Sequence, residues 1–119
     1  MVLPDVPGKP KLSQAAGQWF RDLTAVAFGS WEPACGERHI RDILVMAPKG
    51  QSKTSYSAAL MISPMLMNKR PRAEMLFVGP TQAISDRAYD QAVGMIEESA
   101  DLKRRLRSRR SRIWSIIRR

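Results

Sequence analysis

The chain of 119 residues has a single cysteine, Cys35, and a single histidine, His39. A lone cysteine excludes an internal disulfide and a cysteine zinc cluster, and a lone histidine excludes a multi-histidine metal site. No apolar run approaches the roughly 18–20 residues that a transmembrane helix needs. Residues 1–10 contain Pro4, Pro7 and Pro10 and no apolar stretch of the kind that forms the core of a secretory signal. Together with the sparse cysteine these absences lead us to expect a cytoplasmic protein. There is no internal repeat and no low-complexity tract. What is present, 44% apolar and 26% charged residues with 8 prolines and 7 glycines, is the composition of one small folded unit or a piece of a larger one.

The net charge of +9 is unevenly placed. Residues 1–99 carry 11 Lys and Arg against 10 Asp and Glu, a net of +1. Residues 100–119 carry 9 Lys and Arg and one acid, Asp101, a net of +8. The body is nearly neutral and the tail sets the basic character, so any argument from charge to partner applies to the tail.

Along the chain, the prolines of residues 1–12 predict an extended lead-in. Ala16, Trp19, Phe20, Leu23 and Ala27 then recur at helical spacing, which predicts a helix over about 14–28 with Ser13 as its cap and Gly29 at its end. Residues 29–38 read as a loop. The apolar run Ile43-Leu44-Val45-Met46-Ala47 has the composition of a strand buried on both faces. A polar turn and a mostly apolar helix from Lys53 to about 68 follow, with Pro64 expected to kink or end it near Ser63. Residues 69–72 form a basic connector. Met75-Leu76-Phe77-Val78 is a second buried-strand pattern, and Thr81 caps a helix whose Ile84, Ala88, Ala92, Met95 and Ile96 share a face. Two buried strands joined through a helix predict a right-handed βαβ unit with parallel strands, an α/β fold with an incomplete sheet.

The stretch that carries chemistry joins the first of these strands to its helix: Ala47-Pro48-Lys49-Gly50-Gln51-Ser52-Lys53-Thr54. The phosphate-binding pattern G-x-x-x-x-G-K-[ST] fits its spacing and its Lys-Thr end, with Ala47 and Ser52 in the two glycine positions. A helix starting here turns its unbonded N–H groups and the positive end of its dipole toward the loop, an arrangement suited to phosphate. In such a site Lys53 reaches the β- and γ-phosphates, Thr54 gives its hydroxyl to Mg²⁺, and Lys49 adds a second cation. An ordinary helix N-terminus with Lys and Thr in its first turn would give the same string.

Longer strings then resemble a known family. Residues 3–10, Trp19-Phe20-Arg21-Asp22, the 48–54 loop, residues 67–74, Pro80-Thr81-Gln82 and residues 91–97 together resemble the large subunit of tailed-phage terminases, at the beginning of its ATPase domain. The likeness runs over residues 3–106. It implies a partial P-loop NTPase domain, RecA-like and of the ASCE type, over residues 13–106, with ATP and Mg²⁺ as cofactors and Ala47 to Thr54 as the nucleotide-binding residues. By the same resemblance Gln18, in Gly-Gln-Trp-Phe, would be the adenine-reading glutamine; the alternative is a solvent-facing residue of the first helix. The implied function is ATP-driven translocation of double-stranded DNA into procapsids, with a small terminase subunit and the portal as partners in a bacterial host cell.

The departures from that family are equally specific. Downstream of Gln82 there is no apolar strand ending in Asp-Glu, so the carboxylates that complete the magnesium site and orient the attacking water are missing from these residues. These residues also include none of the family's nuclease domain. A truncated, catalytically incomplete fragment is therefore expected, with residues 107–119 a disordered or frameshifted basic tail. The alternative is a small basic accessory protein that binds nucleic acid through Lys103, Arg104, Arg105, Arg107, Arg109, Arg110 and Arg112. A weak membrane-surface anchor built on Ile113, Trp114, Ile116 and Ile117 is a third use of the same tail. Cys35, flanked by Glu32 and Glu37, lacks the electropositive setting of a reactive thiolate.

Overall fold

A computed structural model describes residues 1–68, 70, 73–110 and 112–115. The basic connector expected at 69–72 and the last residues of the tail, 116–119, lie wholly or mostly outside that description. In chain order the elements are α1 (Leu12–Ala15), α2 (Gln18–Gly29), α3 (Lys53–Met67), α4 (Gln82–Glu97), α5 (Ala100–Arg105), β1 (Leu106–Arg109) and β2 (Arg112–Ser115).

The core lies where α3 packs along α4. Ala58, Ala59 and Ile62 of α3 meet Ala92, Met95 and Ile96 of α4, and all six are buried. Alanines on both faces let the two helices approach closely, while Ile62 and Met95 fill the space between them. Phe20 of α2 stacks on Tyr56 of α3 with ring centroids 4.2 Å apart, and Trp19 packs edge-on against Tyr56 at 5.2 Å. Leu102 and Leu106 close the far side.

The lead-in is seated, not loose. Leu3 is buried, its N–H donates to the Pro10 carbonyl at 3.0 Å, and Leu12 N–H donates to the Met1 carbonyl at 2.9 Å. Positive φ at Gly8 and Lys9 turns the chain back on itself. Asp5 accepts a hydrogen bond from the Gln91 side chain, and Lys9 pairs with Glu98 at 2.5 Å, so both charges tie the lead-in to α4.

The helix expected over 14–28 is two helices. Gly17 is extended at φ −64°, ψ 155°, because its N–H donates to the Tyr56 hydroxyl at 3.0 Å instead of joining a helix. Ser13 falls inside α1 and caps nothing; Lys11 occupies the cap position. Pro64 does not end α3, which continues to Met67. The Thr81 hydroxyl accepts from Ile84 N–H at 3.4 Å and caps α4 as expected. Four of the five apolar residues expected on one face of α4 are buried; Ile84, in its first turn, is exposed.

The predicted parallel βαβ unit is not formed, and the expectation of a partial P-loop NTPase fold, RecA-like and of the ASCE type, is corrected accordingly. Residues 43–46 and 75–78 join no ladder, and the one sheet among the described residues is the antiparallel pair β1–β2. Leu44 is 86% exposed and Leu76 is 89% exposed. The physical reason is coverage. A parallel strand needs apolar partners on both faces, and an isolated pair of strands is marginal in water. Here α3 and α4 bury their small-residue faces against each other and leave nothing to cover the outer sides of the two runs.

Candidate functional site

The turn into α3 is shaped by two residues with positive φ. Gly50 has φ +87°, a conformation that glycine adopts without steric cost, and Ser52 has φ 56°, ψ 30°, in the left-handed helical region. These reversals bring Ala47 back toward Lys53, whose Nζ donates to the Ala47 carbonyl at 2.6 Å across the loop. An ammonium has three donors, so two remain for an anion. Ser52 precedes the first helical residue but its side chain makes no capping bond. The first-turn N–H groups of Lys53, Thr54 and Ser55 thus keep the free donors of an uncapped helix start.

Ala47 is half-buried, and Pro48, Lys49, Gly50, Gln51, Ser52, Lys53 and Thr54 are all exposed. Lys49 and Thr54 make no side-chain hydrogen bond among the described residues. The arrangement fits a phosphate chain: free N–H donors, a lysine folded over the loop and a second cation on its rim. For Mg²⁺ the same residues supply one hydroxyl. Among the described residues no group of three or more His, Cys, Asp or Glu side chains stands ready to hold a metal.

Gln18 is not part of this arrangement. Its amide donates to Asp22 Oδ1 at 2.7 Å on the exposed side of α2. The residue beside it does reach the site. Trp19, Phe20, Tyr56 and Lys53 line one cavity of about 180 Å³, which Val45 and Leu60 also border. That volume is below the roughly 300 Å³ at which small-molecule sites begin. The sequence signal for Trp19 was its helical spacing, which marks the core side of α2 and leaves open that the same face borders Lys53.

The basic residues near the C-terminal end divide between a helix and a hairpin. Arg104 and Arg105, in the last turn of α5, both pair with Asp101 at 3.1 Å. Lys103 belongs to the same turn. Arg107 and Arg109 lie on β1, Arg112 on β2, and Arg110, with φ 49°, in the turn between them. The register pairs Leu106 with Ser115, Arg107 with Trp114, Ser108 with Ile113 and Arg109 with Arg112. Of the four residues expected to form a membrane anchor, Ile116 and Ile117 lie outside the described residues and Ile113 packs against the core. No helix among the described residues is long and apolar enough to cross a membrane.

Elsewhere, exposed Cys35 lies in a loop held by the Trp31–Arg38 bridge, and His39 stands 3.7 Å from Glu32 at the surface. Neither is near the α3 turn in any contact described. Compared with protein-family models, with curated proteins and with solved structures, the chain matches none.

Proposed function

We propose that residues 47–54 bind the phosphates of a magnesium nucleotide, and that the chain is a fragment of a phage DNA-packaging terminase large subunit which holds nucleotide without turning it over. The observation that carries the reading is the Lys53 ammonium folded over a turn with positive φ at Gly50 and Ser52, at an uncapped helix start. The reading rests on that local geometry and on the strings that resemble that family, not on a parallel sheet. The Thr54 hydroxyl would be the side chain available to a bound Mg²⁺, which would supply charge neutralisation of the phosphates, and Lys53 and the first-turn N–H groups would hold the phosphates themselves. On this reading the partners are double-stranded DNA, the small terminase subunit and the portal, in the cytoplasm of a bacterial host.

The test is calorimetric titration of the full chain with Mg-ATP beside a Lys53→Ala variant. Binding that is lost in the variant supports the proposal. Equal binding by both proteins, or none by a chain that circular dichroism shows to be helical, refutes it. Turnover is expected to be negligible, and steady hydrolysis near the ~1–100 s⁻¹ usual for kinase-type phosphoryl transfer would contradict the second half of the reading.

A further inference from the structure

We infer that the outer face of the β1–β2 hairpin is a binding surface for single-stranded nucleic acid, with Arg107, Arg109 and Arg112 on phosphates and Trp114 stacked on a base. This inference is independent of the phosphate-loop reading. It starts from the register. Side chains alternate across a strand, and directly opposed residues share a face. Leu106 and Ile113 therefore face inward, where Leu106 is buried in the core and Ile113 packs against it. Arg107, Arg109, Arg112 and Trp114 lie on the outward face together, and all four are exposed; one Arg107 guanidinium nitrogen donates to the Lys103 and Leu106 carbonyls, and its remaining donors are left for a phosphate. The hairpin is a fixed ribbon, because its inner face is anchored to the body.

Two features of that outer face point to an anionic, aromatic-binding partner. Arg109 and Arg112 are directly opposite one another, and like charges in that position destabilise a ladder. Neither has an ion pair among the described residues, whereas Arg104 and Arg105 on α5 are matched by Asp101. A phosphate placed between the two guanidinium groups turns the repulsion into a charge-assisted bridge. Trp114, 44% exposed and directly opposite Arg107, offers a ring beside a cation. In a duplex the faces of the bases are covered by their neighbours, so an exposed indole gains most from an unpaired base, and such stacking tolerates any sequence. A membrane is disfavoured because Trp114 is the one apolar side chain on the outward face of the described hairpin. With the guanidinium groups on phosphates and the indole on a base face, no contact in this arrangement depends on a 2′-hydroxyl, so DNA and RNA single strands should both bind.

The test uses the full chain and fluorescein-labelled oligothymidylate, oligouridylate and a mixed-sequence DNA duplex, by fluorescence anisotropy across a sodium chloride titration. Both single strands should bind, with log affinity falling against log salt at a slope of about −2 if three phosphates are neutralised. Replacing Arg107, Arg109 and Arg112 together by Ser should bring that slope close to zero. Trp114→Ala should weaken single-strand binding by about 5- to 150-fold and leave the duplex within a few-fold, while Trp114→Phe retains most of the affinity. The substituted side chains all point away from the core, and far-UV circular dichroism checks that each variant keeps its helices. Three results would overturn the inference: single-strand affinity unchanged in Trp114→Ala, binding that survives in the triple-serine variant, or capture by phosphatidylserine vesicles with no oligonucleotide binding.

Discussion

Ser52 occupies the position where the phosphate-loop pattern places its second glycine, and its backbone gives the reason that glycine is usual there. At φ 56°, ψ 30° it sits in the left-handed region, which costs an L-residue about 1–2 kcal/mol. Its side chain makes no capping hydrogen bond, so replacing it removes strain and no bond. Against that gain, a glycine makes the unfolded chain more flexible, at a cost of about 0.4–1 kcal/mol. Ser52→Gly should therefore stabilise the chain by about 0.5–1 kcal/mol, which for a domain of this size is a rise in Tm of about 2–5 °C. Ser52→Val, a β-branched residue in the same conformation, should lower Tm by more than the glycine raises it. Thermal melts followed by circular dichroism at 222 nm read both changes. If glycine leaves Tm unchanged or lowers it, while valine is tolerated, the turn is not held in the left-handed conformation and the argument for a shaped loop ahead of Lys53 falls with it.

Other consequences are checked by the same melts or by simple binding assays. Tyr56→Phe deprives Gly17 N–H of its acceptor at the break between α1 and α2, and should cost about 1–2 kcal/mol with the ring packing unchanged; no change in Tm would mean that the break does not depend on this bond. A Cβ on Gly94 would stand 2.9 Å from Pro4 Cγ, so Gly94→Ala should destabilise the chain by about 1 kcal/mol or more through overpacking, although alanine is the better helix former. A gain in stability there would show that the lead-in is not seated on α4. Ile62→Ala, at a fully buried position between α3 and α4, should cost about 2–5 kcal/mol and is the substitution expected to unfold the chain first. Leu44→Lys with Leu76→Lys should reduce binding of a hydrophobic dye and self-association without lowering Tm, because both side chains are almost fully exposed.

The helices α3 and α4 were legible because their signals are local, whereas α5 was not read from the sequence. The apolar face of α4 and its Thr81 cap are visible within a few residues of one another, and the structure keeps both. The break at Gly17 was not, because its cause is Tyr56, some forty residues away, whose hydroxyl captures the Gly17 N–H. Nor was the hairpin. A run of Arg and Ser has no apolar alternation to mark a strand, and the two residues that fix its inner face, Leu106 and Ile113, are separated by six others, four of them arginine.

The two apolar runs show the opposite failure, in which a correct local pattern leads to the wrong fold. Residues 43–46 and 75–78 have the composition of strands buried on both faces, but both runs are exposed, with every second side chain turned further into solvent. Burial on both faces depends on what lies above and below a strand, which composition cannot supply. In this chain α3 and α4 satisfy each other, so the runs find no cover. The α3 turn survives the loss of the sheet because its shape is set by Gly50, Ser52 and the Lys53–Ala47 hydrogen bond, all within seven residues. A phosphate-binding property can therefore be tested at this turn even though the βαβ unit expected around it does not form.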